Sequence, residues 1–123
     1  MRLLPLALAA TLAIGGLTAG LTAPTGAKAA SFNCGRAATS TERAICANLS
    51  LNDRDVRMAQ LYDIVRHLVP MGTRGAIMDR QTMWLRERNR CAADRACIAQ
   101  AYDRRIGELN RVLEERVYSQ GPF

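Results

Sequence analysis

Histidine and lysine are scarce in this sequence, and each scarcity argues against a class of protein. His67 is the only histidine, and a lone histidine is usually a surface residue. No serine after residue 30 lies in a glycine-rich nucleophile elbow, and no nucleophile has an evident base beside it. Lysine is absent after residue 30, and the arginines there form no basic run. We therefore expect neither an enzyme nor a nucleic-acid-binding protein.

The four cysteines also lack the spacings of metal and redox motifs. Eleven residues separate Cys34 from Cys46, and five separate Cys91 from Cys97. Zinc sites and redox-active pairs typically use Cys-x2-Cys, which does not occur here, and one histidine cannot complete a zinc site. We expect no metal and no cofactor.

The first thirty residues have the pattern of a secretory leader. Met1-Arg2 supplies a positive start, and Leu3 to Ala23 is an uncharged apolar stretch. Ala27 and Ala29 are small residues at the two positions that a signal peptidase reads, which predicts cleavage after Ala29 or Ala30. The alternative is an uncleaved membrane anchor, because an apolar run of about twenty residues is long enough to span. The small residues Ala27 and Ala29, which follow the apolar stretch, favour cleavage.

After the leader, we predict one helical domain over residues 31–119 and a flexible C-terminus over residues 120–123. The first cysteine, Cys34, follows Ser31-Phe32-Asn33 and does not fit a lipid-attachment site. We therefore expect a soluble product in the periplasm or outside the cell, with no stable membrane anchor. Residues 31–123 contain fifteen arginines and eleven acidic residues, a modest net charge of +4.

An even number of cysteines in a small exported chain predicts two disulfides. Because about 94 residues bury only a small core, such cross-links matter for stability. Four cysteines allow three pairings, and the sequence alone does not choose among them. Locality favours Cys34–Cys46 and Cys91–Cys97. The alternative is a bond between the N-terminal segment and the later helical hairpin.

Helical periodicity dominates the chain after the leader, and no strand pattern appears. Thr39 and Glu42 have the form of a capping box, which predicts a short helix over about Ser40–Asn48. A second helix is predicted to begin within residues 50–53 and to stop at residues 70–72. A third is predicted from about Gly75 to Asn89, and a fourth after the N-cap Asp94. Short connections favour a small all-α antiparallel bundle of about four helices.

Inward-facing positions recur at helical spacing in the last three helices. They are Leu51, Asp55, Met58, Leu61/Tyr62, Val65, Leu68/Val69, then Ile77, Gln81, Trp84/Leu85, Arg88, and then Ile98, Ala101/Tyr102, Arg105/Ile106, Leu109, Val112/Leu113 and Val117. Trp84 is predicted to fill the core between the third and fourth helices, and the alternative is an exposed anchor for a partner. The inward Arg88 and Arg105 are predicted to pair with carboxylates such as Glu42, Asp55 or Asp63, because a buried arginine needs such a partner.

The order and spacing of these residues, from about Phe32 to Leu113, resemble a known bacterial family. The matching positions are Phe32-Asn33-Cys34, Thr39, Glu42, Ile45-Cys46, Leu51, Asp55, Leu61, Tyr62, Gln81, Trp84-Leu85, Arg88, Cys91, Cys97, Tyr102, Arg105-Ile106 and Leu109. Together they resemble the lysozyme inhibitor LprI-like N-terminal domain family. The resemblance implies a small helical periplasmic or secreted domain, and the family name implies inhibition of lysozyme.

Two functions follow as hypotheses. In the first, the chain binds a lysozyme or another cell-wall lytic enzyme and occludes the acidic pair in its substrate cleft. An arginine near an exposed turn, Arg74 or Arg90, would suit those carboxylates. In the second, the chain is an envelope interaction or structural domain with an anionic or protein partner and no lysozyme inhibition.

Overall fold

Four helices make up most of the chain in the computed structural model, which describes residues 30–121. The predicted leader, except Ala30, lies outside the described residues, as do Pro122 and Phe123 of the predicted flexible C-terminus. No strand occurs within residues 30–121, and the predicted all-α fold of four helices is confirmed. The helices are α1 (Ser40–Ala47), α2 (Leu49–Leu68), α3 (Met71–Asn89) and α4 (Arg95–Arg116), with short 3-10 helices at Cys34–Arg36 and Tyr118–Gln120.

The predicted capping box begins α1. The Thr39 hydroxyl accepts the Glu42 N–H at 3.1 Å. The Glu42 carboxylate in turn accepts the backbone N–H groups of Thr39 and Ala38 at 3.0 and 2.7 Å. These donors hold the pKa of Glu42 below its usual value of 4.5, and burial opposes them. Three backbone donors at this end are thus satisfied by two side chains.

The second helix begins one residue before the predicted stretch. Asn48 is both the last cap of α1 and the first cap of α2, and its side-chain oxygen accepts the Leu51 N–H at 3.1 Å. The expectation that Ser50 to Asp53 would start the helix was therefore wrong. One asparagine serves two helix ends, so no separate linker is needed.

The start of α3 at Met71 corrects the prediction of a start near Gly75. Pro70 ends α2 as predicted, but it also occupies the N-cap of α3. Its carbonyl accepts the Thr73 and Arg74 N–H groups at 2.9 and 3.2 Å. Proline suits a helix start because the N–H it lacks has no helical partner there. Gly72 thus belongs to the first turn of α3.

The core lies where α4 packs against α2 and α3, with α1 covering one end. At the paired positions Leu68/Val69 and Trp84/Leu85, Val69 and Trp84 are buried and the two leucines are exposed. Among helices within residues 30–121, none combines the length and apolar content needed to cross a bilayer. The apolar core residues come from all four helices, the α2–α3 connection and the segment after α4: Ile45, Leu51, Met58, Val65, Val69, Ile77, Trp84, Ile98, Tyr102, Ile106, Leu109, Leu113 and Val117.

Both disulfides follow the local pairing. Cys34–Cys46 joins the N-terminal 3-10 turn to α1, and its Cα atoms are 5.8 Å apart. Cys91–Cys97 closes the bend between α3 and α4, with Cα atoms 5.6 Å apart. The alternative of a bond between the N-terminal segment and the α3–α4 hairpin is thereby excluded.

Candidate functional site

Three helices meet at a buried charged network. The Tyr102 hydroxyl of α4 donates to Asp55 Oδ1 of α2 at 2.8 Å. Arg88 of α3 donates from Nη1 to the Tyr102 oxygen at 3.0 Å and lies 3.8 Å from Asp55 Oδ1. All three residues are buried, and burial raises the pKa of Tyr102 far above its ordinary value. The phenol therefore stays protonated and remains a donor to Asp55.

Trp84 lies beside this network and fills the core between α3 and α4, as predicted. Its ring is 2% exposed and meets the Tyr102 ring edge-on, with 5.3 Å between the centroids. Its Nε1–H donates to the Ala101 carbonyl at 3.1 Å. The Arg88 guanidinium lies 5.6 Å from the Trp84 centroid, within cation–π range. The ring is therefore unavailable as a surface anchor.

A second polar cluster surrounds Arg105. Its guanidinium donates to Gln81 Oε1 and to Glu108 Oε2, each at 3.0 Å. Burial lowers the pKa of Arg105, and hydrogen bonding to Glu108 opposes this. For Glu108, burial acts to raise the pKa, but hydrogen bonds from Arg80 and Arg105 outweigh it and hold the value below 4.5. This cluster joins α3 to α4 on the far side of Trp84.

The predicted pairing of the inward arginines is half correct. Arg88 reaches Asp55, but Arg105 pairs with Glu108 rather than with one of the three proposed carboxylates. The reason is local, because Glu108 lies one helical turn from Arg105 on α4. Glu42 is engaged in capping α1, and Asp63 pairs with the partly exposed Arg66.

An apolar groove of about 530 Å³ opens between α2 and α3. Tyr62, which is predicted to face inward, is half-buried on the wall of this groove. The buried Asp55, Gln81 and Arg88 contribute polar atoms to the lining. The remaining lining is mostly apolar and comes from Phe32, Met58, Ala59, Met78 and Leu85, with Ser31, Glu42 and Thr82 completing it. We name this surface the α2–α3 groove.

The α3–α4 bend forms a second candidate surface, which we name the stapled turn (residues 90–95). The Cys91–Cys97 bond closes it, and the Asp94 carboxylate accepts the Cys97 N–H at 3.0 Å, as an N-cap should. Ala92 has a left-handed φ of 50°, and its carbonyl accepts the Thr41 hydroxyl of α1 at 2.7 Å. The turn is thus fixed at several points while Arg90 and Arg95 remain exposed.

Thr41 contacts the stapled turn, and the sequence did not indicate this residue. It is fully buried, and its hydroxyl also lies 3.2 Å from the Asn89 carbonyl. Its partners are 48 and 51 residues away in the chain. A threonine in the first turn of a helix gives no signal of so distant a contact.

The two arginines proposed for partner binding lie at opposite ends of α3. Arg90 is exposed in the stapled turn, whereas Arg74 is half-buried in the first turn of the helix. They are sixteen positions apart in sequence, a rise of about 24 Å at 1.5 Å per residue. The structure therefore does not bring them to one site, and only Arg90 belongs to the stapled turn.

Metal-ligating side chains do not cluster in the described part of the chain, where no group of three or more histidine, cysteine or acidic residues could hold an ion. His67 is exposed on α2, with Nδ1 2.7 Å from the Asp63 carbonyl oxygen. The candidate surfaces are thus a rigid turn and a groove.

In comparisons with protein-family models, curated proteins and solved structures, the chain has no significant match.

Proposed function

We propose that this chain is an exported protein that binds a cell-wall lytic enzyme and occludes its substrate cleft with the stapled turn. The observation that carries the proposal is the exposure of Arg90 and Arg95 on a turn held by the Cys91–Cys97 bond and the Thr41 hydroxyl. A turn that is rigid before binding loses little conformational entropy on binding. Support for the class of partner comes from the sequence resemblance to lysozyme inhibitors.

Arginine suits the chemistry of such a cleft. Glycoside hydrolases place two carboxyl groups on either side of the bond they cleave. A guanidinium can donate two parallel hydrogen bonds to one carboxylate, an arrangement that a lysine ammonium cannot make. Export is supported by the leader pattern and by two disulfides, which persist in oxidising compartments.

The test is a cell-wall lysis assay of the purified chain against a panel of lytic enzymes of differing net charge. We expect Arg90→Ala or Arg95→Ala to weaken inhibition about tenfold or more, as for a central interface arginine. Arg111→Ala is the matched control, since Arg111 is exposed on α4 about 24 Å along the helix from Arg95. Full lysis by every enzyme at a large molar excess of the chain would reject the proposal.

The α2–α3 groove favours a second candidate function, an envelope domain that docks an apolar segment of another exported protein. Its volume of about 530 Å³ is within the range of specific ligand pockets. Met58 and Met78 give its walls flexible, polarisable side chains that adapt to different apolar partners. In this function the stapled turn would serve the fold alone.

Met78 and Met83 provide a matched pair for testing the groove. Both are on α3 and are 46% and 48% exposed, but only Met78 lines the groove. A partner cross-linked in envelope extracts would be identified and then retested as a purified protein. We expect Met78→Asp to abolish its binding and Met83→Asp to preserve it, with Arg90→Ala having no effect. Equal loss from both methionine variants would exclude the groove as the docking surface.

A further inference from the structure

Asp55 carries an unusual contact to the N-terminal segment. The carboxylate is 1% exposed, and its Oδ1 accepts from Tyr102 and lies 3.8 Å from Arg88. Its Oδ2 accepts the backbone N–H of Ser31 at 2.6 Å, across 24 residues of sequence. One oxygen therefore faces a cation, and the other faces a main-chain nitrogen next to the predicted processing site.

We infer that leader removal at one of the two bonds flanking Ala30 ends the chain within one residue of this contact, so that the new α-ammonium becomes a second cation for Asp55. The inference rests on the export step of the proposed function. The reaction is hydrolysis by a leader peptidase. One water adds across the amide bond, the leader leaves with the new carboxylate, and the mature chain keeps the amine, which takes up a proton.

Either bond leaves an ammonium at this contact or on the residue next to it. Cleavage between Ala30 and Ser31 turns the nitrogen that already contacts Asp55 Oδ2 into the ammonium itself. Cleavage between Ala29 and Ala30 leaves the Ser31 N–H in place and puts the ammonium on Ala30. The Cα atoms of Ala30 and Ser31 are about 3.8 Å apart, as for any two consecutive residues. In the uncut precursor these nitrogens are uncharged amides. The mature chain therefore gains an attraction that the precursor lacks.

The surroundings favour a cation at this position. Arg88 and Tyr102 approach Asp55 from the Oδ1 side, which leaves Oδ2 to the N-terminal segment. Glu42 lines the same groove and adds a second negative charge nearby. Ser31 is exposed, so an ammonium there keeps part of its hydration while it pairs with the buried carboxylate. The pairing would also fix Ser31 and Phe32 along the edge of the α2–α3 groove.

The first measurement is the N-terminal residue of the exported protein. The full chain is produced in a bacterium that processes leaders, and its terminus is read by intact mass and N-terminal sequencing. We expect Ala30 or Ser31. A different first residue, or a retained leader, would overturn the inference and would still leave the inhibition assay interpretable.

The second measurement is the coupling between the terminal charge and Asp55. Because no lysine occurs after residue 30, an amine-selective acetylating reagent modifies only the α-amine. We expect acetylation to raise the unfolding equilibrium constant about three- to tenfold, as for a partly desolvated ion pair, and to have no effect in Asp55→Asn. Asp53→Asn, an exposed change on the same helix, should keep the full effect of acetylation.

An extension of the chain keeps the test decisive if Asp55→Asn does not fold. Two residues, Gly-Ser, placed ahead of the mature terminus move the ammonium away and leave every side chain intact. We expect this form to unfold as readily as the acetylated protein. An extended chain as stable as the mature one would overturn the inference. A coupled terminus on a chain that inhibits no lytic enzyme would reject only the proposed function.

Discussion

At the scale of single residues, the Tyr102 hydroxyl connects three helices through two hydrogen bonds. It accepts from Arg88 and donates to Asp55, residues that lie 3.8 Å apart and share no direct hydrogen bond. Both charged groups are buried, so each depends on the hydroxyl for part of the hydrogen bonding that water would otherwise supply. The Tyr102 hydroxyl thus links the two charged groups of the network.

Tyr102→Phe is predicted to destabilise the fold by about 1–3 kcal/mol, because it leaves two buried charged groups short of a partner. Urea denaturation followed by circular dichroism measures the loss. Tyr118→Phe is the control, since Tyr118 is 56% exposed, and the change there should stay within about 0.5 kcal/mol. Similar losses in the two variants would show that the hydroxyl contributes nothing specific.

Residue identities on the inward faces were largely predictable, but their partners were only partly so. The helical period predicts Asp55, Arg88 and Tyr102 as inward. The need to neutralise a buried arginine predicts a carboxylate partner, but it leaves Glu42, Asp55 and Asp63 all open. The position of Tyr102 between them was not foreseen, because it depends on how α4 is rotated against α2. The sequence does not indicate the partner of Arg105, because an inward position does not distinguish Glu108, one turn away on α4, from carboxylates on other helices.

At the scale of elements, helix ends are fixed by side chains that bond to backbone groups. Thr39→Ala removes the acceptor for the Glu42 N–H and is predicted to cost about 1 kcal/mol. Thermal unfolding measures the effect. Ser40→Ala, one residue along, is the control because the Ser40 side chain has no hydrogen bond within the described residues. Equal effects at the two positions would argue against the capping box as the source of stability.

The Cys91–Cys97 bond is predicted to contribute about 2–3 kcal/mol by restricting the unfolded chain. The double replacement of Cys91 and Cys97 by Ser should lower the free energy of unfolding by that amount in urea denaturation. It should also weaken inhibition of the lytic enzyme under conditions in which the variant remains folded, because the stapled turn loses its closure. A variant with loosened structure and unchanged inhibition would separate the turn from the proposed function.

Element type and order followed from the sequence more reliably than element boundaries. The 3.6-residue period and the N-cap Asp94 are strong local signals, and both were confirmed. Asn48 and Pro70 were harder to interpret, because each ends one helix and caps the next. At Asn48 and at Pro70, the signal that stops one helix is also the signal that starts the next. Packing therefore decides where each helix begins and ends.

At the scale of the whole molecule, stability is predicted to fall in acid. The pKa values of Glu42 and Glu108 lie below 4.5 in the fold, so the folded state favours their ionised forms. Their contribution is fully present above pH 4.5 and is lost as the pH falls through the lower folded values. Glu108→Gln should lower stability at neutral pH and flatten the acid slope. Glu114→Gln, an exposed change on the same helix, should leave the slope unchanged.

Both candidate surfaces are products of the assembled fold, which limits what the sequence alone could indicate. Arg90 was foreseen as part of an exposed turn, but the Thr41 hydroxyl that fixes the turn comes from α1. The lining of the α2–α3 groove comes from the N-terminal segment, α1, α2 and α3, so no single segment encodes it. The sequence resemblance suggested a partner class, and the geometry suggested where contact would occur.

The burial of Trp84 gives the molecule a single built-in optical reporter. It is the only tryptophan of the chain, and it is packed against Tyr102 and Arg88 where α3 meets α4. Its fluorescence emission should therefore be blue-shifted in the native state and move to longer wavelength when those helices separate. Because no other indole contributes, the emission spectrum by itself would follow the integrity of this helical hairpin during refolding, reduction or acid titration.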